Sequence, residues 1–204
     1  MITVLITGFD PFAKETINPS WEAVSRLDST ISNANIIKLQ LPTEFKSSRE
    51  KLRTAIAQYC PDIVLSVGQA GGRSGITPEL VAINFDDASI PDNAGYEPHE
   101  ETIEREGENA YFTQLPIKKI CVTLKKADIP SYISTTAGTY VCNHVMYEAQ
   151  FLRSTEYPQL KAGFIHIPFL PQQVVDKPGM PSLSLDDDVR GLTLAIETIV
   201  KELA

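Results

Sequence analysis

Cysteine and positive charge are both scarce in this chain. Of its 204 residues three are cysteine, Cys60, Cys121 and Cys142, and they are scattered. An odd number of separated thiols fits reduced side chains in a cytoplasm and argues against a disulfide framework; at least one thiol stays free or pairs between chains. No pair of ligating side chains has recognised zinc-site spacing, so no metal site is expected. Lysine and arginine number 18 against 26 acidic residues, a formal charge of -8. That is the wrong sign for a protein that gains affinity by displacing counterions from phosphates, so nucleic acid and anionic membrane are poor partners. Long apolar runs are also missing. The stretch Met1 to Phe9 is too short to span a bilayer and lacks the basic flank and cleavage site of a secretory signal, so no export is expected. No internal repeat or low-complexity segment occurs.

What is present is the material of one domain, residues 1–204. Hydrophobic residues make up 43% and charged residues 22% of the chain. At this length roughly 70% of the unfolded surface is buried on folding, so packing alone can hold the core. Ile2 to Thr7 is a β-branched apolar run closed by Gly8, which predicts a buried strand. Asn18 before Pro19 marks a helix start, with the helix running to about Leu27. Asn35 to Leu41 reads as a strand, and Thr43 as the cap of a helix in which Phe45, Leu52, Ile56 and Tyr59 share one face until Pro61 stops it. Asp62 to Val67 is a further apolar strand, followed by a glycine-bearing loop, Gln69 to Gly75.

Glu79 to Phe85 alternates loosely. Asp86 to Thr113 is polar, with six glutamates between Glu97 and Glu108, and predicts a solvated surface excursion. Ile117 to Leu124 predicts a strand. Thr139 is placed to cap a helix lined by Val141, Val145, Ala149 and Leu152, and Ala162 to Ile167 is an apolar strand interrupted by His166. The last helix begins near Ser184 or Asp186, with aspartates in its first turn, and packs through Leu192, Ile196, Ile199 and Leu203. Such alternation predicts a three-layer α/β/α sandwich around a mostly parallel twisted sheet. Function then belongs where loops leave the carboxyl ends of strands: Gly8 to Asn18, the loop around Gln69, the start of the Cys142 helix, and His166.

Cys142 is the sharpest chemical candidate. A thiol in the first turn of a helix faces unsatisfied N–H groups, which favour thiolate and make it a plausible nucleophile, although a small buried hydrophobe is the commoner fate of a cysteine. That bland role is assigned to Cys121 and also to Cys60. A cysteine nucleophile needs an imidazole. His144 lies two residues on, about 200° round the helix, and points away. His99 sits in the glutamate-rich stretch and reads as solvated. His166 closes an apolar strand, where it needs a partner or a use. Spacing does not choose the carboxylate that would orient the imidazole: Glu79, Asp86, Asp87, Asp10 and Asp62 all remain open.

Seven blocks now stand out: Gly8-Phe9-Asp10-Pro11-Phe12; Asn18-Pro19-Ser20; Gly68-Gln69-Ala70-Gly71-Gly72-Arg73; Pro78-Glu79 with Asn84; Ile90-Pro91-Asp92-Asn93; Gly138-Thr139-Tyr140-Val141-Cys142-Asn143; and Phe164-Ile165-His166-Ile167-Pro168. Together, in order and over essentially the whole chain, they resemble the type I pyroglutamyl peptidases, or pyrrolidone-carboxylate peptidases. The resemblance implies a cysteine peptidase that removes an amino-terminal pyroglutamyl residue from peptides, with Cys142 as nucleophile, His166 as acid and base, and Glu79 as the orienting carboxylate. It also implies a lactam pocket formed or bordered by Phe9, Phe12, Asn18, Gln69, Tyr140 and Val141, and a cytoplasmic homotetramer without cofactor. Two departures from the family pattern are Ser89, where arginine is usual, and Tyr140, where phenylalanine is commoner. Ser89 raises one rival expectation, a weak or inactive lactam-binding protein. A thiol redox sensor centred on Cys142 is the other.

Overall fold

The structure, a computed structural model, describes residues 1–203. Its elements run β1 (Thr3–Phe9), α1 (Pro19–Arg26), β2 (Thr30–Ile31), β3 (Ala34–Leu41), α2 (Phe45–Tyr59), β4 (Ile63–Gln69), β5 (Thr77–Pro78), β6 (Val81–Ile83) and β7 (Ala110–Phe112). Then come α3 (Ile117–Lys126), α4 (Val141–Thr155), β8 (Lys161–Ile167), a short 3-10 turn (Pro171–Gln173) and α5 (Leu185–Leu203). The main sheet has the order β2-β3-β1-β4-β8-β5, parallel from β3 through β8 and edged by antiparallel β2 and β5. The chain runs from β1 outward to β3 and then returns past β1 to β4, so the order reverses between β1 and β4. A crevice opens at such a reversal, outside the carboxyl ends of the strands.

Strand residues alternate between two cores. Val4, Ile6, Ile63, Leu65, Val67, Ile165 and Ile167 pack with Ala23 and Val24 of α1, Ile120 and Leu124 of α3, and Leu192 and Ile196 of α5. Leu5, Phe9, Val64, Ala162 and Phe164 pack instead with Phe45, Leu52 and Ile56 of α2 and Val141, Val145 and Leu152 of α4. This is the expected three-layer sandwich. The same period of two puts His166, two positions past Phe164, and Gly68, four past Val64, on the α4 side. The fold therefore aims the strand-end imidazole at the helix that carries Cys142.

Several local expectations are corrected. Ile117 to Leu124 is helical, not extended: Ile117, Ile120, Cys121 and Leu124 are its buried residues, a 3.6-residue spacing that packing in the α5 core enforces over β-branched preference. Thr43 and Thr139 do not cap their helices. Thr43 Oγ1 donates to the Asp10 carbonyl at 3.0 Å, and Thr139 Oγ1 donates to the Asp87 carbonyl at 2.7 Å. Asn18 does cap α1, its Oδ1 accepting from Ser20 N–H at 3.1 Å. Cys60 is exposed rather than buried, in the left-handed conformation (φ 43°) that ends α2, and Tyr59 is largely exposed too. Ser184 Oγ accepts from Asp187 N–H at 3.1 Å and so starts α5, while the Leu203 side chain lies outside the described residues.

The excursion from Asp86 to Thr113 is more than a solvated loop. Five of its six clustered glutamates are exposed, but Ala88 and Ile103 enter the α2/α4 core, and Asp86 and Asp92 are buried. Asp92 Oδ2 accepts the Phe45 N–H at 3.0 Å, capping α2 from a distant segment, and its Oδ1 accepts the N–H groups of Ala94 and Tyr96, each at 2.9 Å. Glu104 is drawn inward by Arg49 and Arg53 of α2, which also engage buried Glu148 of α4. Composition registered the charge and missed these few anchors.

Candidate active site

The short edge strand β5 brings Glu79 to the end of β8, because Thr77 is the antiparallel partner of His166. Glu79 Oε1 lies 2.7 Å from His166 Nδ1, and both side chains are buried. A carboxylate accepts, so Nδ1 carries the hydrogen and Nε2 of the neutral ring is left as a base. Arg73, leaving the glycine loop after β4, donates to Glu79 Oε1 at 2.5 Å, to Thr77 Oγ1 at 2.6 Å and to the Thr136 carbonyl at 3.1 Å. The Phe164 ring flanks the imidazole, with centroids 4.7 Å apart.

Cys142 is the second residue of α4, and the side chain of its N-cap residue, Tyr140, makes no capping hydrogen bond. Its first-turn N–H groups are therefore unsatisfied by the helix itself. The sulfur is seated on the sheet at Gly68: a Cβ added there would stand 2.8 Å from Cys142 Sγ and 2.8 Å from the Phe164 ring. Gly68 is the parallel register partner of His166. Sulfur, imidazole and carboxylate thus converge on one corner of the crevice, and any larger residue at position 68 would push the sulfur away.

Burial, followed by the negative charge of Glu79, pushes the Cys142 thiol up to about 12, with Arg73 opposing. The expected helix-stabilised thiolate is not the resting state. Burial also depresses His166, outweighing the hydrogen bond and charge of Glu79, and Arg73 depresses it further. Burial raises Glu79, but His166, Ser134 and Arg73 together hold its carboxyl below the ordinary value. A neutral thiol thus rests beside a neutral imidazole that is oriented by an ionised acid.

The other acids are engaged elsewhere. Asp10 Oδ1 accepts the Thr43 N–H at 2.6 Å, and Asp62 Oδ2 accepts that of Thr3 at 2.8 Å. Asp86 Oδ2 lies 2.6 Å from His144 Nδ1 on the far side of α4, as the 200° offset requires. Asp87 stands 3.8 Å from the exposed His99. Cys121 is buried and within 3.3 Å of Ser131 Oγ.

Phe12 and Tyr140 face each other with ring centroids 6.1 Å apart, and Tyr140 packs edge-on to Phe45 at 5.2 Å. Tyr140 also donates its hydroxyl to the Pro91 carbonyl at 3.1 Å, tying the excursion to this wall, while Ser89 is exposed. Phe9 is buried behind, 6.4 Å from Phe164, and Val141 is buried at the first position of α4. Asn18 braces the loop after β1: its Oδ1 accepts from Ser20, and its Nδ2 donates to the Asp10 carbonyl at 2.9 Å, leaving one amide hydrogen. Gln69, at the end of β4, accepts at Oε1 from Gln173 Nε2 at 3.0 Å. Arg73 and Gln173 received no role from sequence reasoning. A lone arginine within a glycine loop was the available signal for the first; nothing local marked the second.

The chain resembles known proteins over nearly its whole length. The model of the pyroglutamyl peptidase family matches residues 2–202. A pyrrolidone-carboxylate peptidase of Levilactobacillus brevis is 60% identical over 197 residues, covering 97% of this chain and 97% of the relative. Another, from Lacticaseibacillus paracasei, is 57% identical over 197 residues, covering 97% and 92%. The crystal structure of pyroglutamyl peptidase I from Bacillus amyloliquefaciens superposes with a TM-score of 0.96 at 48% identity, covering 100% of this chain and 98% of that one. A mutant pyrrolidone carboxyl peptidase from Pyrococcus furiosus gives 0.96 at 40% identity, with 100% of each chain covered.

Proposed function

The chain belongs to the pyroglutamyl peptidase family, a family of cysteine-type hydrolases that remove an amino-terminal pyroglutamyl residue from peptides, and on that premise we propose that Cys142, His166 and Glu79 carry the reaction. The observation that carries the assignment is the 2.7 Å hydrogen bond from His166 to Glu79 beside a sulfur seated on Gly68, the strand neighbour of His166.

Because the resting thiol and imidazole are both neutral, proton transfer accompanies attack. As Sγ bonds to the pyroglutamyl carbonyl carbon, His166 Nε2 takes the thiol proton, and Glu79 stabilises the imidazolium that forms. The first-turn N–H groups of α4 meet the oxyanion. The C–N bond then breaks, His166 returns the proton to the departing amine, and a thioester remains. Water, deprotonated by the same imidazole, cleaves the thioester, releasing pyroglutamate and restoring the thiol.

Phe12, Tyr140 and Gln69 border the proposed lactam pocket directly. Phe9, Val141 and Asn18 support it from behind and beside, with one Asn18 amide hydrogen left for substrate. An uncharged ring suits apolar walls with few polar contacts, whereas the ammonium of an ordinary amino terminus would lose its hydration without an acidic partner. Arg73 keeps a cation on the triad, so Ser89 does not deprive the site of one, and the binding-only reading gains no support. On the family resemblance we also place the chain in the cytoplasm as a homotetramer. Three unpaired cysteines support a reducing compartment, and exposed Val175 and Met180, in the turn-rich segment after β8, support a subunit contact. Light scattering checks the assembly.

Hydrolysis of a pyroglutamyl fluorogenic amide beside a prolyl amide control tests the assignment. Cys142→Ala should abolish turnover, whereas Cys121→Ala should stay within about twofold of wild type, as a buried packing residue outside the site would. Wild-type rates for Cys142→Ala would refute the mechanism.

A further inference from the structure

The loops after β1, β4 and β8 meet at one buried side chain. Gln173, in the 3-10 turn beyond β8, is 7% exposed. Its Oε1 accepts the Leu170 N–H at 3.0 Å. Its Nε2 donates to Gln69 Oε1 at 3.0 Å and to Glu15 Oε2 at 3.3 Å. Glu15 belongs to the loop that carries Phe12, and its other oxygen accepts from Lys177 Nζ at 2.6 Å. Lys177 in turn lies 4.5 Å from the centroid of the Phe169 ring, which is pressed against Gly71 of the glycine loop.

These bonds have a direction that chemistry imposes. A backbone N–H can only donate, so Leu170 forces Gln173 to turn its oxygen inward and its amide N–H groups outward. A carboxylate can only accept, and Lys177, against a smaller effect of burial, holds Glu15 below its ordinary pKa and therefore ionised, which fixes the same orientation independently. Gln69 must then offer its oxygen to Gln173, leaving its own Nε2 as the group available to a ligand.

We infer that Gln173 is a positioning residue for lactam recognition: clamped by Leu170 and the Glu15–Lys177 pair, it fixes the amide of Gln69 so that the pocket presents a donor to the lactam carbonyl. The inference rests on the reading that Gln69 borders the lactam pocket. It gives the enzyme a means of separating pyroglutamyl from prolyl substrates, since proline has the same ring without that carbonyl. The lost bond becomes an unpaired buried group, which is how a polar site rejects such an analogue.

Steady-state kinetics of Gln69→Ala, Gln173→Leu, the double variant and Lys177→Met, together with the rate of Cys142 alkylation by iodoacetamide, test this. Gln173→Leu should raise KM for the pyroglutamyl amide about tenfold, the worth of one hydrogen bond. It should leave kcat and alkylation near wild type and add nothing in the Gln69→Ala background. Lys177→Met should raise KM by about twofold, as expected for a half-exposed ion pair, and Lys177→Arg, which keeps a cation on Glu15 while leaving its carboxylate free to accept from Gln173, should recover most of the loss. If Gln69→Ala leaves KM unchanged, the pocket reading itself falls. If Gln69→Ala raises KM while Gln173→Leu does not, or raises it equally in the double variant, the positioning role is overturned. Should Gln173→Leu not fold, an unchanged KM in Lys177→Met overturns it instead.

Discussion

Helix α4 is flanked by two pairs that look alike on paper. His166 with Glu79 and His144 with Asp86 are each buried, each joined through Nδ1, at 2.7 and 2.6 Å. Their surroundings differ. Glu79 has Arg73 as a second donor, a thiol nearby and a position at the strand ends; His144 is covered edge-on by the Phe45 ring at 5.5 Å, and its Nε2 has no partner among the described residues. The electrostatics follow. Burial raises both acids, but the hydrogen bonds and charges around Glu79 reverse the effect, whereas His144 does not offset it for Asp86, which stays above its ordinary value. A third buried acid completes the series: Asp188 has no partner for either oxygen among the described residues, and burial, followed by Asp187, drives it up to about 8. What separates the two pairs is therefore the number of donors and the groups within reach, not the pair itself.

The widest expected contrast lies between the two histidines. His166→Ala should reduce kcat/KM for the pyroglutamyl amide by at least about a thousandfold, as loss of a coupled acid and base does. His144→Phe should leave kcat/KM within about threefold but lower stability by roughly 3 kcal/mol in urea unfolding, because it strands a buried carboxylate. Equal kinetic losses would erase the distinction.

A smaller effect is expected at Arg73. Its charge lowers both the Cys142 thiol and the His166 imidazole. Arg73→Met should move the pH dependence of Cys142 alkylation to more alkaline values and slow turnover about tenfold near neutrality, or one unit of effective shift. Arg73→Lys should recover part of it. An unmoved profile would reduce Arg73 to a loop brace.

Asp188 bears on stability alone. Its folded-state value lies above the unfolded one, so the native state holds a proton that the unfolded chain has released, and stability falls as pH rises from 3.8 toward about 8. Glu79, depressed on folding, works the other way, with stability lost as pH falls through its folded value. The gain in stability from Asp188→Asn should therefore grow across that window, by at most about 1.4 kcal/mol per pH unit. A gain that does not vary with pH would mean that packing, not charge, governs the site.

The parallel strands were legible because Ile63 to Val67 and Ala162 to Ile167 are apolar runs whose character does not depend on their neighbours. The Asn18 cap and the candidacy of His166 were visible for a related reason: a cap is local, and a polar ring in an apolar strand is conspicuous, whereas its pairing with Cys142 came from family resemblance. The choice of Glu79 came from family resemblance, because Asp86 sits equally near a strand end and only the fold shows it on the other side of α4. The helix at Ile117 was obscured by β-branched residues that fit either period. The Gln173 clamp was invisible because its partners lie 104 and 158 positions away in the chain.

The capping of α2 by Asp92 has a consequence for biosynthesis. The carboxylate that completes the start of this helix is 47 residues downstream of the amide it receives. During translation α2 can coil as soon as it clears the ribosome, but its first turn must fray until Asp92 has emerged and docked. By then the glycine loop and Glu79 have been made, so the maturing chain secures α2 after Glu79 is in hand and before Cys142 and His166 exist.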